Sequence, residues 1–167
     1  MATGACLIPS LAYEDAESAI VWLEKAFGFV CTLKVPGATA GSILHAQLVL
    51  RETMMVMVCS DQGCGANHNG SNDNNDGNSA NNSSSNDTKK EQKDTLLRSP
   101  RAANLCTQGL YLIVEDVAAA YKRARDAGAA VVRPLKEQEY GGCGFTVHDC
   151  EGHPWSFGNY NPWQSSQ

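Results

Sequence analysis

Long apolar runs are missing from this chain. No stretch of its 167 residues approaches the ~18 consecutive apolar positions that cross a bilayer, so no membrane-spanning helix is expected. Blocks of lysine and arginine are missing too. With 13 basic against 18 acidic residues and a formal charge of −5, the chain lacks the basic surface that nucleic acid requires. Charged residues are only 19% of the total, whereas 43% are hydrophobic, enough to build a core. The first residues, Met-Ala-Thr-Gly-Ala-Cys-Leu-Ile, lack a basic stretch followed by an apolar one, so a secretory signal is not expected. Paired cysteines are also lacking. The 7 cysteines stand scattered at positions 6, 31, 59, 64, 106, 143 and 150. Cys59 and Cys64 have no matching second pair with which to hold zinc. These absences together predict a cytosolic protein with reduced thiols, with neither nucleic acid nor membrane as a partner.

The residues that are present fall into two similar halves. Residues 6–12 read as a short strand with Pro9 setting it at an end or edge. Asp15 is placed to cap a helix, with Glu14 and Glu17 complementing its dipole. Ala19, Ile20, Leu23, Ala26 and Phe27 recur at helical spacing, and Gly28 stops the helix. Residues 29–35 and 42–50 read as strands. In the latter, Leu44, Ala46, Leu48 and Leu50 form one face, and Ile43, His45, Gln47 and Val49 the other. A histidine and a glutamine on an otherwise apolar face mark a surface that meets something polar. Arg51-Glu52 makes a tight turn into a buried strand over 53–59. Residues 5–60 thus form a βαβββ module.

From 61 to 101 the composition shifts to Asn, Ser, Gly and Asp, with almost nothing apolar to bury. This predicts a disordered insert, and its Asn-x-Ser/Thr matches are those that such a composition produces by chance. Residues 102–160 then repeat the first pattern, leaving a tail over 161–167. A strand over 108–114 leads to Glu115-Asp116. A helix follows with Val117, Ala120, Tyr121, Ala124 and Ala127 on one face, ended by Gly128, and then a strand stopped by Pro134. The last strand pair meets at Asp149-Cys-Glu-Gly152, a tight turn. Trp155 and Phe157 share one strand face, and Pro154 and Ser156 the other. His153 reads as a turn residue with a satisfied ring and His148 as an exposed strand end.

The segments Tyr13-Glu-Asp-Ala-Glu-Ser-Ala-Ile-Val-Trp-Leu-Glu-Lys-Ala-Phe-Gly-Phe29, Val114-Glu-Asp-Val117, Arg125-Asp-Ala-Gly-Ala129 and Asp149-Cys-Glu-Gly-His-Pro-Trp-Ser-Phe157, in this order, resemble the glyoxalase/bleomycin-resistance/dioxygenase (vicinal oxygen chelate) superfamily. The Gly-His-x-Trp ending is similar to its bleomycin-resistance-like branch. The resemblance implies an α+β fold of two tandem βαβββ modules forming a cupped mixed sheet, and commonly a homodimer. Many members hold a divalent metal through His, Glu or Gln on the first and fourth strands of each module. Here those positions fall near Ile8, near Gly109 with Gln108 adjacent, among Met54 to Met57, and at Ser156. Thioethers and a serine are poor ligands for such ions. His45 and Gln108 are the remaining weak metal candidates. Where the family carries Asp-Arg after Tyr-Gly, this chain has Gly142 and Cys143.

Three readings follow from this. The first is a small-molecule-binding protein without the metal quartet or another cofactor, with His45, Gln47, Tyr140, Phe145, Trp155 and Ser156 as candidate ligand-binding residues. The second is a metal-dependent glyoxalase-type lyase, isomerase or dioxygenase with displaced ligands. The third is a non-catalytic interaction module.

Overall fold

The computed structural model describes residues 7–61, 96–139 and 141–164. The first half runs β1 (Ser10–Tyr13), α1 (Ala16–Phe27), β2 (Val30–Pro36), β3 (Ile43–Leu50) and β4 (Met54–Ser60). After one helical turn, α2 (Pro100–Ala103), the pattern repeats as β5 (Leu110–Ile113), α3 (Val117–Asp126), β6 (Ala130–Glu137), β7 (Cys143–His148) and β8 (Pro154–Gly158). Each half closes its own four-stranded sheet, in the orders β1-β4-β3-β2 and β5-β8-β7-β6. The first strand of each half runs parallel to the last, and the other pairs are antiparallel. The tandem βαβββ architecture expected from the internal repeat is the one observed. No helix among the described residues is long and apolar enough to cross a membrane.

Local chemistry explains the element ends. The Asp15 carboxylate accepts the Ser18 N–H and the Asp116 carboxylate accepts that of Ala119, each satisfying one orphan donor at a helix start. Gly28 stops α1 in the left-handed conformation at φ 82°, a position that any side chain would strain. Arg51 and Glu52 both have positive φ, 51° and 58°, the backbone of a tight hairpin turn between twisted strands. β1 starts at Ser10, later than the sequence pattern suggests. Pro9, ahead of it, has no N–H to give the ladder, although its carbonyl accepts from the Met57 N–H.

The predicted insert falls mostly outside the described residues. Its last part, however, belongs to the fold. Ser99 is buried and caps α2 by accepting the Ala102 N–H, and Pro100 is buried as well. Cys59 is disulfide-bonded, so the expectation of reduced thiols fails at that position.

The two halves share one core. Helices α1 and α3 meet near their C-terminal ends, where the hydrogen bonds are reciprocal. The Trp22 indole N–H donates to the Ala127 carbonyl at 3.0 Å, and the Arg123 guanidinium to the Phe27 carbonyl at 2.9 Å. Phe27 lies between the halves, its ring centroid 5.0 Å from Trp155 and 4.9 Å from Phe157 on β8.

A second joint is polar. The β7–β8 turn of the second module grips the start of α1 in the first. Glu151, with its side chain 2% exposed, accepts the N–H of Glu14 at 2.7 Å and of Asp15 at 2.9 Å. A carboxylate there complements the positive end of the helix. Arg101, just beyond Ser99, pairs with both Glu151 and Glu14. The His153 ring nitrogen Nε2 lies 3.0 Å from the Ala12 carbonyl, so its ring has the partner expected of a turn histidine. Asp149 is buried and accepts four hydrogen bonds. Tyr13 O–H and Trp155 Nε1–H reach Oδ2 at 2.6 and 2.9 Å, and the N–H groups of Glu151 and His153 reach Oδ1 at 3.0 Å each. Burial first, and then the Asp149 charge, hold the Tyr13 phenol well above its usual range.

Cys150 sits in this turn between the two carboxylates. Burial of the thiol, followed by the charges of Asp149 and Glu151, pushes it up to about 12. A thiol reacts as thiolate. Below its pKa the reactive fraction rises tenfold per pH unit, and the greater nucleophilicity of a high-pKa thiolate offsets part of its scarcity, so near pH 8 alkylation of Cys150 should run at least about tenfold slower than that of an ordinary thiol. Its rate should still be climbing at about pH 10, where ordinary thiols have levelled off. Time-resolved iodoacetamide labelling read by peptide mass spectrometry checks both points. Labelling as fast as free cysteine would contradict them.

Candidate functional site

Each sheet covers helices with one face and turns the other outward. The alternation on β3 decides this for the first sheet. Ala46, Leu48 and Leu50 are buried, whereas His45, Gln47 and Val49 on the opposite face are half-buried. Strand register sets Val35 beside His45, Leu33 and Met57 beside Gln47, Met55 beside Val49, and Ser10 beside Met57. This outer face is therefore thioether and aliphatic around one imidazole and one amide. The two polar groups meet, His45 Nε2 and Gln47 Nε2 lying 3.3 Å apart. At the β1 side of the sheet, Gln108 lines a cleft of about 260 Å³ with Ser10, Ala12, Cys106 and His153.

The outer face of the second sheet is more polar. One row crosses all four strands in register: Tyr111 on β5, Ser156 on β8, Thr146 on β7 and Arg133 on β6. A second row carries Gly158, Gly144 and Lys136. The Ser156 and Thr146 hydroxyls are 2.9 Å apart, and the Tyr111 O–H donates to the Tyr160 carbonyl at 3.0 Å. The paired glycines let their neighbours pack closely. A Cβ at Gly158 would come within 2.5 Å of the Tyr111 hydroxyl oxygen, and one at Gly144 within 2.9 Å of the Phe157 carbonyl oxygen. Above them lies a cavity of about 220 Å³ lined by Tyr111, Arg133, Lys136, Gln138, Thr146 and Ser156. A separate apolar cavity of about 400 Å³ opens between the modules, where Pro9, Phe29, Met55, Val56, Leu110 and Trp155 meet.

The candidate residues read from the sequence separate accordingly. His45 and Gln47 share the outer face of the first sheet, and Ser156 lies on that of the second. Trp155 and Phe145 point the other way, because neighbours on a strand face opposite sides. Trp155 is fully buried with its indole N–H bound to Asp149, and it adds only to the wall of the apolar cavity. Phe145 stacks on Phe157 at 5.0 Å and meets Tyr121 at 5.0 Å, and it also borders the 220 Å³ cavity of the second sheet. Tyr140 lies outside the described residues.

Sequence spacing missed Arg133 and Lys136. Three residues apart, they would face opposite sides of a regular strand. A register irregularity between Arg133↔Thr146 and Lys136↔Gly144, spanning Pro134, returns both to one face. Proline inside a strand was the available signal.

The donors at the superfamily's metal positions do not suit a divalent ion. The outer faces of the first and last strands of the two modules offer the hydroxyls of Ser10, Tyr111 and Ser156 and the thioethers of Met55 and Met57. Such ions favour imidazole and carboxylate. Among the described residues no three His, Cys, Asp or Glu side chains come together. The displaced pair has different neighbours as well, His45 facing Gln47 and Gln108 facing the β1 cleft.

Two sheets of this order, each with its helix, are matched among known proteins. A sequence model described as Glyoxalase/Bleomycin resistance protein/Dioxygenase superfamily matches residues 6–157. The chain belongs to that superfamily. An uncharacterized protein of Mycobacterium bovis is 33% identical over 153 residues, covering 91% of this chain and 81% of its own length. The crystal structure of TioX from Micromonospora sp. ML1 is 26% identical with a TM-score of 0.60, covering 95% of this chain and all of TioX (100%). A glyoxalase-related enzyme from Fulvimarina pelagi matches the fold at 17% identity with a TM-score of 0.60, over 95% of this chain and 88% of its own.

Proposed function

We propose that this superfamily member binds a small molecule on the outward faces of its sheets and does so without the metal quartet. The observation that carries the reading is the donor set. Hydroxyls and thioethers occupy the first- and last-strand positions where a metal-binding member carries imidazole and carboxylate, while both outer faces keep polar groups in an apolar setting. A homodimer belongs to the same reading. The edge strands β2 and β6 expose Val30, Leu33, Val131 and Val132, apolar surface that a second copy would cover.

Metal content and calorimetric titration with Zn²⁺, Ni²⁺, Mn²⁺ and Fe²⁺ test the proposal on the full chain. The expected outcome is no stoichiometric metal after purification and no saturable heat. Stoichiometric tight binding lost in His45→Ala or Gln108→Ala would overturn it and favour the metal-dependent enzyme.

A further inference from the structure

We infer that the outer face of the second sheet is a site for the oxyanion of a small molecule, a carboxylate or a phosphate monoester, held by Arg133 and Lys136 over the Ser156–Thr146 hydroxyl pair. The inference rests on the reading that these faces bind small molecules, and it names the chemistry of one of them.

Charge supports it first. Both cations line the same 220 Å³ cavity, and neither forms an ion pair among the described residues. No Asp or Glu lines that cavity. The chain as a whole carries a formal charge of −5, so an anion gains nothing from the global field and the attraction is local to this face.

Donor geometry supports it independently. The strand register delivers Arg133, Thr146, Ser156 and Tyr111 as one continuous row, with Lys136 in the next. A hydroxyl pair 2.9 Å apart uses one proton internally and keeps a second to donate. Arginine adds a planar fork that matches two oxygens of a carboxylate or phosphate at once, and lysine adds a compact charge. Gly158 lets the Tyr111 ring lie close over its strand, which sets Tyr111 as one wall of the cavity. At about 220 Å³ the cavity is smaller than the ~300 Å³ typical of drug-sized pockets, so it suits a small molecule or the anionic end of a larger one.

The test is ¹H–¹⁵N NMR titration of the full chain with benzoate, phenyl phosphate and inorganic phosphate, beside neutral benzamide and cationic benzylamine. Saturable shifts are expected from the anions at the amides of Tyr111, Thr146 and Ser156. Benzoate against phenyl phosphate separates carboxylate from phosphate recognition, and inorganic phosphate shows whether the organic body is needed. Arg133→Gln with Lys136→Gln removes the charge at exposed positions. It should leave the urea midpoint near that of the wild type and weaken the best anion at least about tenfold. Ser156→Ala should weaken it less and leave anion selectivity intact. Equal binding of benzamide or benzylamine at this face, undiminished binding in the double variant, or no anion shift up to about 10 mM would overturn the inference. None of these results would touch the metal-free reading, which falls only to stoichiometric metal.

Discussion

Asp149→Ala should destabilise the folded chain by about 4 kcal/mol, a loss that few single substitutions reach. The carboxylate is buried and receives four donors from three parts of the chain. Removing it strands all four, and each buried donor left without a partner costs about 1–3 kcal/mol, of which relaxation and entering water recover part. The damage is not confined to the turn. Tyr13 ends β1 in the first module and Trp155 is the second residue of β8 in the second, so one carboxylate fixes a strand of each. Asp149→Asn keeps the volume but turns an amide N–H₂ towards groups that are themselves donors, and about 2 kcal/mol is expected. Urea unfolding followed by tryptophan fluorescence measures both. An alanine variant within about 1 kcal/mol of the wild type would mean that the joint is dispensable.

Phe27→Ala should cost a similar amount, about 4 kcal/mol, for a different reason. Phe27 is 1% exposed, with Trp22 at 5.1 Å in an edge-on contact and Trp155 and Phe157 on its other sides. Truncation removes the ring's transfer free energy and leaves a hole ringed by large, well-packed aromatics that cannot easily close it. The aromatic contacts add about 0.5–1.5 kcal/mol each. Phe27→Leu, which fills most of the space, should lose less than half as much. An alanine variant with a midpoint close to that of the wild type would show that helix α1 slides inward to fill the gap.

The sequence made much of this legible, and for physical reasons. The alternation of Ala46, Leu48 and Leu50 against His45, Gln47 and Val49 is a local consequence of the pleat, and it separated the two faces of β3 from His45 onward; at the strand's start, beside a register shift against β2, it failed, with Ile43 buried and Leu44 half-buried. Asp15, Asp116 and Gly28 act within one helical turn of their own positions, so their capping roles could be read directly. The duplication showed in the repeated strand, cap, helix and glycine stop, and the two sheets have the same strand order.

What escaped was non-local or depended on parity. Asp149 and Glu151 announced a turn, but their partners Tyr13, Glu14 and Asp15 lie more than 130 residues away in sequence. Arg133 and Lys136 look opposed until the irregularity in β6 is counted. Trp155 and Phe145 drew attention as aromatics near a candidate site, although each adjoins the residue that does face outward, Ser156 and Thr146 respectively.

The grip of Glu151 on the start of α1 has a bearing on history. A tandem duplication begins as two interchangeable copies. Here, among the described residues, the equivalent of that grip, from the β3–β4 turn onto α3, is an ion pair at 3.8 Å between Arg51 and a Glu115 side chain that is 94% exposed. Such a contact is worth little. At the turns, then, the second copy holds the first with a buried carboxylate, whereas the return contact is exposed. The two turns have diverged, while the helices still bond reciprocally.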